Sequence, residues 1–121
     1  MNTLHLNLKR KWFEMILSGE KKEEYRSITQ YWADRLVLMV RISSTINYDR
    51  CDRLVAGDYE KVFWEEFDTI TFSNGYAKDR DQFVIELKGI EIKEGNPAWG
   101  AEQGTKYFCL QLGNILSKRI K

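Results

Sequence analysis

The chain has 121 residues, a formal net charge of +1, and 43% hydrophobic with 13% aromatic residues. That length suits one domain with a core that needs neither disulfides nor metal, and the composition excludes a disordered chain. A charge this close to zero excludes a global field toward nucleic acid or membrane, so any affinity for a polyanion must come from a local patch.

Thr3–Leu8 alternates, with Leu4, Leu6 and Leu8 on one face, and is predicted as a half-buried strand. Lys9–Ser18 places Trp12, Phe13, Ile16 and Leu17 at helical spacing, and Gly19 suits a left-handed helix end. The charged stretch Ser18–Arg26, SGEKKEEYR, follows and is short enough for one strand. Ser27-Ile-Thr-Gln30 matches a capping box with Ser27 as N-cap. The second helix then has an inner stripe of Ile28, Tyr31, Trp32 and Ala33 or Leu36. Leu36–Ile42 is apolar and β-branched enough for a strand.

Ser43–Glu66 is the least legible part, with a short helix predicted around Phe63, Trp64 and Phe67. Phe67–Asn74 is a strand with Ile70 and Phe72 inward, closed by an Asn74-Gly75 turn. Gln82–Glu94 is a long strand with a defect. Phe83, Ile85 and Leu87 fall on one parity, Ile90 and Ile92 on the other. One extra residue near Lys88-Gly89 repairs the alternation as a bulge. Gly95–Gly104 is a glycine-rich loop with Pro97 and Trp99. Lys106–Gly113 is the last strand, with Phe108, Leu110 and Leu112 inward, and SKRIK reads as a frayed tail. These elements predict an α+β domain built on a small curled sheet spanning residues 1–121.

Cys51 and Cys109 lie far apart outside any C-x-x-C pair, and read as reduced thiols in a cytoplasmic protein. His5 lacks the partners of a zinc site, so no metal or other cofactor is expected. The N-terminus has no leader-like apolar core, and no run is long enough to span a bilayer.

The charged stretch is where chemistry concentrates. In an extended segment Lys22, Glu24 and Arg26 share one side, while Lys21, Glu23 and Tyr25 share the other. A solvated surface strand gives the same pattern, and charged turns usually serve solubility. Three features favour a site. The segment starts at a fixed helix end. Arg26 next to a helix N-terminus makes an anion site. A carboxylate beside two cations can accept from the amino edge of a base or act as a general base. Lys21 can meet Glu24 only from the turn, by swinging inward.

Gly19, Lys21, Glu24 and Arg26 spell G-x-K-x-x-E-x-R. With LHLNLKRKWFEMILSGEKKEEYR, FDTITFSNGY and GIEIKEGNPAWGAEQGTKYFCLQLG in this order, the chain resembles a single-domain ASCH protein of bacterial or phage type, in the PUA-like superfamily. Val40–Glu66 carries no part of that likeness. The resemblance implies a small β-barrel with flanking helices, a cleft beside the motif, and RNA or nucleotide binding. Some members deacylate N4-acylated cytidine through a lysine, a threonine and a distant glutamate, and others cut RNA. Lys21 matches the lysine. Glu24 stands where the threonine would be, and Thr29 falls in the next helix, so deacylation transfers poorly.

The first expectation is therefore an RNA- or nucleotide-binding module. Lys21 and Arg26 would hold phosphate or carbonyl oxygen, and Glu24 would accept from an exocyclic amine. Trp99 or Tyr107 would stack on a base, and Asn74 and Tyr76 would sit on the rim, Asn74 reading a base edge or simply making the turn. The run Lys9–Lys11 is a weaker phosphate candidate. The second expectation is a hydrolase using Lys21 as proton shuttle and Glu24 as base. The third is a regulatory module with no small ligand, its charges merely paired. Trp12 and Trp32 are expected in the core.

Overall fold

The computed structural model describes residues 2–47 and 49–121. The order is β1 (Thr3–Leu8), α1 (Arg10–Leu17), β2 (Glu23–Ser27), α2 (Gln30–Leu36), β3 (Val37–Arg41), α3 (Arg50–Ala56), β4 (Lys61–Trp64), β5 (Thr69–Asn74), β6 (Gln82–Glu94), a 3₁₀ turn (Pro97–Trp99) and β7 (Lys106–Arg119). The architecture is α+β. A mixed five-stranded sheet runs β1-β5-β6-β7-β2, with β3 and β4 paired separately. β1 lies parallel to β5, and the other pairs of the large sheet are antiparallel. Its ladder does not join β2 to β1, so both are edges.

The alternating apolar residues do what their spacing requires. Leu4, Leu6, Leu8, Ile70, Phe72, Phe83, Ile85, Phe108 and Leu110 are buried and meet Phe13 and Ile16 of α1. Phe13 stacks edge-on against Phe83 with ring centres 4.8 Å apart. The predicted parity defect is present: Leu87 faces Leu112 but Gly89 faces Gln111, so β6 carries the extra residue at Lys88. Two further shifts follow between Val84 and Leu87, where β7 holds the surplus. Gly89 is not in the left-handed region, so the bulge does not require its conformational freedom.

Several expectations are corrected. Ser27 ends β2, and the cap of α2 is Thr29, whose hydroxyl accepts from Trp32 N at 3.4 Å. Tyr31 is not on the inner stripe but 61% exposed, while Ala33 and Leu36 of the predicted stripe are both buried. Phe63 and Trp64 lie in a strand because their register with Val37–Arg41 lets Trp64 reach Phe108, with ring centres 5.9 Å apart. The helix of that region is α3, capped by Asp49, which accepts from Cys51 N and Asp52 N. The C-terminal residues are not frayed: Ser117–Arg119 pair with Val84–Gln82, and Lys121 N donates to Asp81 at 2.9 Å. Among the described residues no helix is long and apolar enough to cross a membrane.

Candidate functional site

α1 ends at Ser18, and Gly19 turns the chain with φ of 86°. Lys21 N then donates to Met15 O at 2.9 Å, which fixes Lys21 in the turn before β2 begins. From there its stem runs inward, and the residue is 2% exposed. Its ammonium donates to Trp99 O at 2.6 Å, pairs with Glu24 Oε1 at 3.2 Å, and lies 4.7 Å from the Tyr25 ring centre and 5.3 Å from that of Trp12. The turn position resolves how a lysine three residues before Glu24 meets it.

Glu24 pairs in register with Leu110, and Arg26 with Phe108. Directly opposed residues share a face, so both charged side chains lie on the row that elsewhere forms the core. Glu24 answers two cations there. Its second oxygen takes Arg26 Nη2 at 2.6 Å. The same nitrogen reaches across to Asn7 O at 3.3 Å, so a side chain of β2 touches β1. Arg26 Nε is buried and has no hydrogen-bond partner among the described residues. The guanidinium lies 5.0 Å from the centre of the Trp32 ring. Burial is the largest influence on Lys21 and pulls its pKa below the ordinary lysine value, with Glu24 opposing the shift.

The other face of β2 carries a second polar cluster. Glu23 pairs with Lys93 at 2.8 Å and accepts from the Tyr25 hydroxyl at 2.8 Å. Burial pushes the Glu23 carboxyl up, but hydrogen bonds from Lys93, Tyr25 and Gln111 outweigh it and hold the group below its usual value. Tyr25 Oη also accepts from Asn96 N at 2.9 Å, tying the glycine-rich loop to β2. Trp99 lines a hollow of about 490 Å³ here with Lys22, Glu23, Lys93, Asn96 and Gln111.

Of the residues singled out from sequence, Lys21, Glu24 and Arg26 come together in one relay. Trp99 joins it through its carbonyl and also lines the hollow beside Glu23. Tyr107 lies 5.7 Å from Tyr25 in ring separation, and its hydroxyl accepts from Glu102 N at 2.9 Å. Asn74 is engaged elsewhere. In the amide orientation that satisfies both groups, its oxygen accepts from Arg10 Nε at 2.8 Å. Tyr76 stands 84% exposed in the turn beyond it. Trp12 and Trp32 are only partly buried, and each has a relay cation near its ring. Sequence reading missed that role because a helical stripe of aromatics points first to packing. Cys51 and Cys109 are free thiols, and the described residues form no cluster able to hold a metal ion. Comparison with known families, with curated proteins and with solved structures gives no match to this chain.

Proposed function

We propose that this chain is an RNA- or nucleotide-binding module of ASCH type, with Lys21, Glu24 and Arg26 as its ligand-reading group. One observation carries the reading: an edge strand places Glu24 and Arg26 on the core-facing row, next to fully buried Leu110 and Phe108. Replacing a buried ion pair by packed apolar groups is often neutral or stabilising. Charges kept at such a place are better explained by a ligand than by the fold. Arg26 reaching Asn7 also brings the two sheet edges within side-chain range, which supports the curled, PUA-like barrel.

In this reading Arg26 and Lys21 hold a phosphate or base carbonyl, and Glu24 accepts from an exocyclic amine. Trp99 and Tyr107 serve flanking groups on the far side of β2. Titration with nucleosides, 5′-mononucleotides and short RNAs, read by thermal shift and calorimetry, tests it. Ligand binding raises the melting point, and Arg26→Ala removes the effect. Absence of saturable binding by a natively folded protein overturns it.

The lowered pKa of Lys21 favours a second reading, a small hydrolase. A buried amine that loses its proton more readily than free lysine is present more often as the free amine, the form that can accept a proton. Glu24 would steer water toward an amide of a modified base or a phosphodiester. Turnover of N4-acylated cytidine or labelled RNA, lost in Lys21→Ala and Glu24→Gln, supports it. Binding without turnover leaves the module alone.

A further inference from the structure

α2 has only seven residues, QYWADRL, and buries Ala33 and Leu36. A short helix of this kind normally turns polar residues outward. Here it turns out Tyr31, which is 61% exposed. The Tyr31 and Trp32 rings meet edge-on with centres 4.9 Å apart. Arg35 lies 5.5 Å from the Tyr31 ring centre and 5.8 Å from that of Trp32. Arg26 lies 5.0 Å from the same Trp32 centre. Guanidinium groups and rings therefore alternate, Arg26, Trp32, Arg35, Tyr31, in a strip leading from the relay to the exposed side of α2.

The charges along this strip do not cancel. Arg26 shares Glu24 with Lys21, whereas Arg35 makes no ion pair among the described residues. The nearby carboxylate of α2, Asp34, is taken by Arg50 at 2.5 Å and by Gln30 at 2.7 Å. Two guanidinium groups around one indole repel each other, and an anion between them relieves that cost. An alternation of cations and ring faces is what a single-stranded polynucleotide matches, with phosphates on the cations and unstacked bases on the rings. A duplex hides those base faces, and a free mononucleotide is too short for the strip.

We propose that α2 extends the site into a track for single-stranded polynucleotide, in which Trp32 is held between the guanidinium groups, the exposed Tyr31 stacks a base beyond the one at Glu24, and Arg35 meets the phosphate between them. This rests on the reading of Lys21, Glu24 and Arg26 given above.

Fluorescence anisotropy tests it with single-stranded RNA of about eight nucleotides, DNA of the same sequence and the RNA duplex, alongside calorimetry with 5′-mononucleotides. Tyr31→Ala and Arg35→Ala each weaken single-strand binding about 5–20-fold and leave mononucleotide affinity unchanged. Tyr31→Phe, which keeps the ring, restores affinity. Arg35→Ala also lowers the slope of log affinity against log salt by about one. The RNA and DNA arms decide which polynucleotide is preferred. Unchanged oligonucleotide affinity in both alanine variants, or duplex binding as tight as single-strand binding, overturns the track. With mononucleotides still bound by the wild type, that outcome leaves the relay reading standing. Failure of the wild type to bind any mononucleotide or oligonucleotide removes both.

Discussion

Glu24 is shared by two cations, the buried Lys21 on one oxygen and the partly buried Arg26 on the other. Removing its charge strands both partners in a poorly hydrated place. Glu24→Gln is expected to cost about 3–5 kcal/mol, measured as a lower urea midpoint, whereas Lys21→Met keeps the stem and leaves Glu24 paired with Arg26, and costs less. The thiol of Cys109 shows a different coupling. Burial pushes its pKa from the ordinary 9.0 up to about 11. Its folded value lies above its unfolded value, so the folded state holds the proton longer. The resulting stability is complete below pH 9.0 and is lost as pH rises through about 11. Burial also raises Tyr25, which acts in the same direction at still higher pH. Lys21 acts oppositely, since its lowered pKa makes stability rise with pH below the free-lysine value. Cys109→Ala should flatten the alkaline loss between pH 9.0 and about 11 in a series of urea melts. At this scale the relay was legible because Gly19 closes α1 just before Lys21, which leaves Lys21 in the turn and able to meet Glu24. The outward aim of Tyr31 was not, because Ala33 and Leu36 fill the buried side of this seven-residue helix and a neighbouring aromatic ring suits either side.

β1 and β6 were predicted with their observed bounds, β6 with its extra residue at Lys88, whereas β7 runs past the predicted end at Gly113 to Arg119. α3 was missed for a physical reason. Its buried residues are Leu54 and Arg53, a charged side chain whose guanidinium donates to Asp58 Oδ2 at 2.8 Å and to Ile46 O at 2.5 Å, so no apolar stripe marks it. Phe63 and Trp64 misled because aromatic residues suit both periods, and only pairing with β3 decides between them. The loop between β6 and β7 is held tightly where it meets β2. A Cβ on Gly95 would lie 2.6 Å from Ala101 Cβ and 2.9 Å from the Tyr25 ring. Gly95→Ala should therefore cost about 1–3 kcal/mol by displacing Tyr25 from Glu23 and Asn96. Gly89→Ala, with nothing within 4 Å of its added carbon, should be nearly neutral in the same chemical melt.

Across the molecule, one apolar cluster joins both sheets, since Val37 and Leu54 belong to the same buried set as Leu4 and Phe108. The order β1-β5-β6-β7-β2 leaves two open margins, and backbone groups on such margins can recruit a strand from another copy. Inward-pointing charges are one of the ways proteins discourage that. Glu24 and Arg26 are charges of this kind on β2, and Arg26 bridges toward β1. A triple substitution of Lys21, Glu24 and Arg26 by Met, Leu and Leu should thus yield a chain that resists denaturant at least as well as wild type. It should also show concentration-dependent light scattering that wild type does not. A monodisperse triple variant would mean that the margin is guarded by something else. Scattering by the triple variant would instead give these three residues two beneficiaries, recognition of a partner and refusal of the chain's own twin.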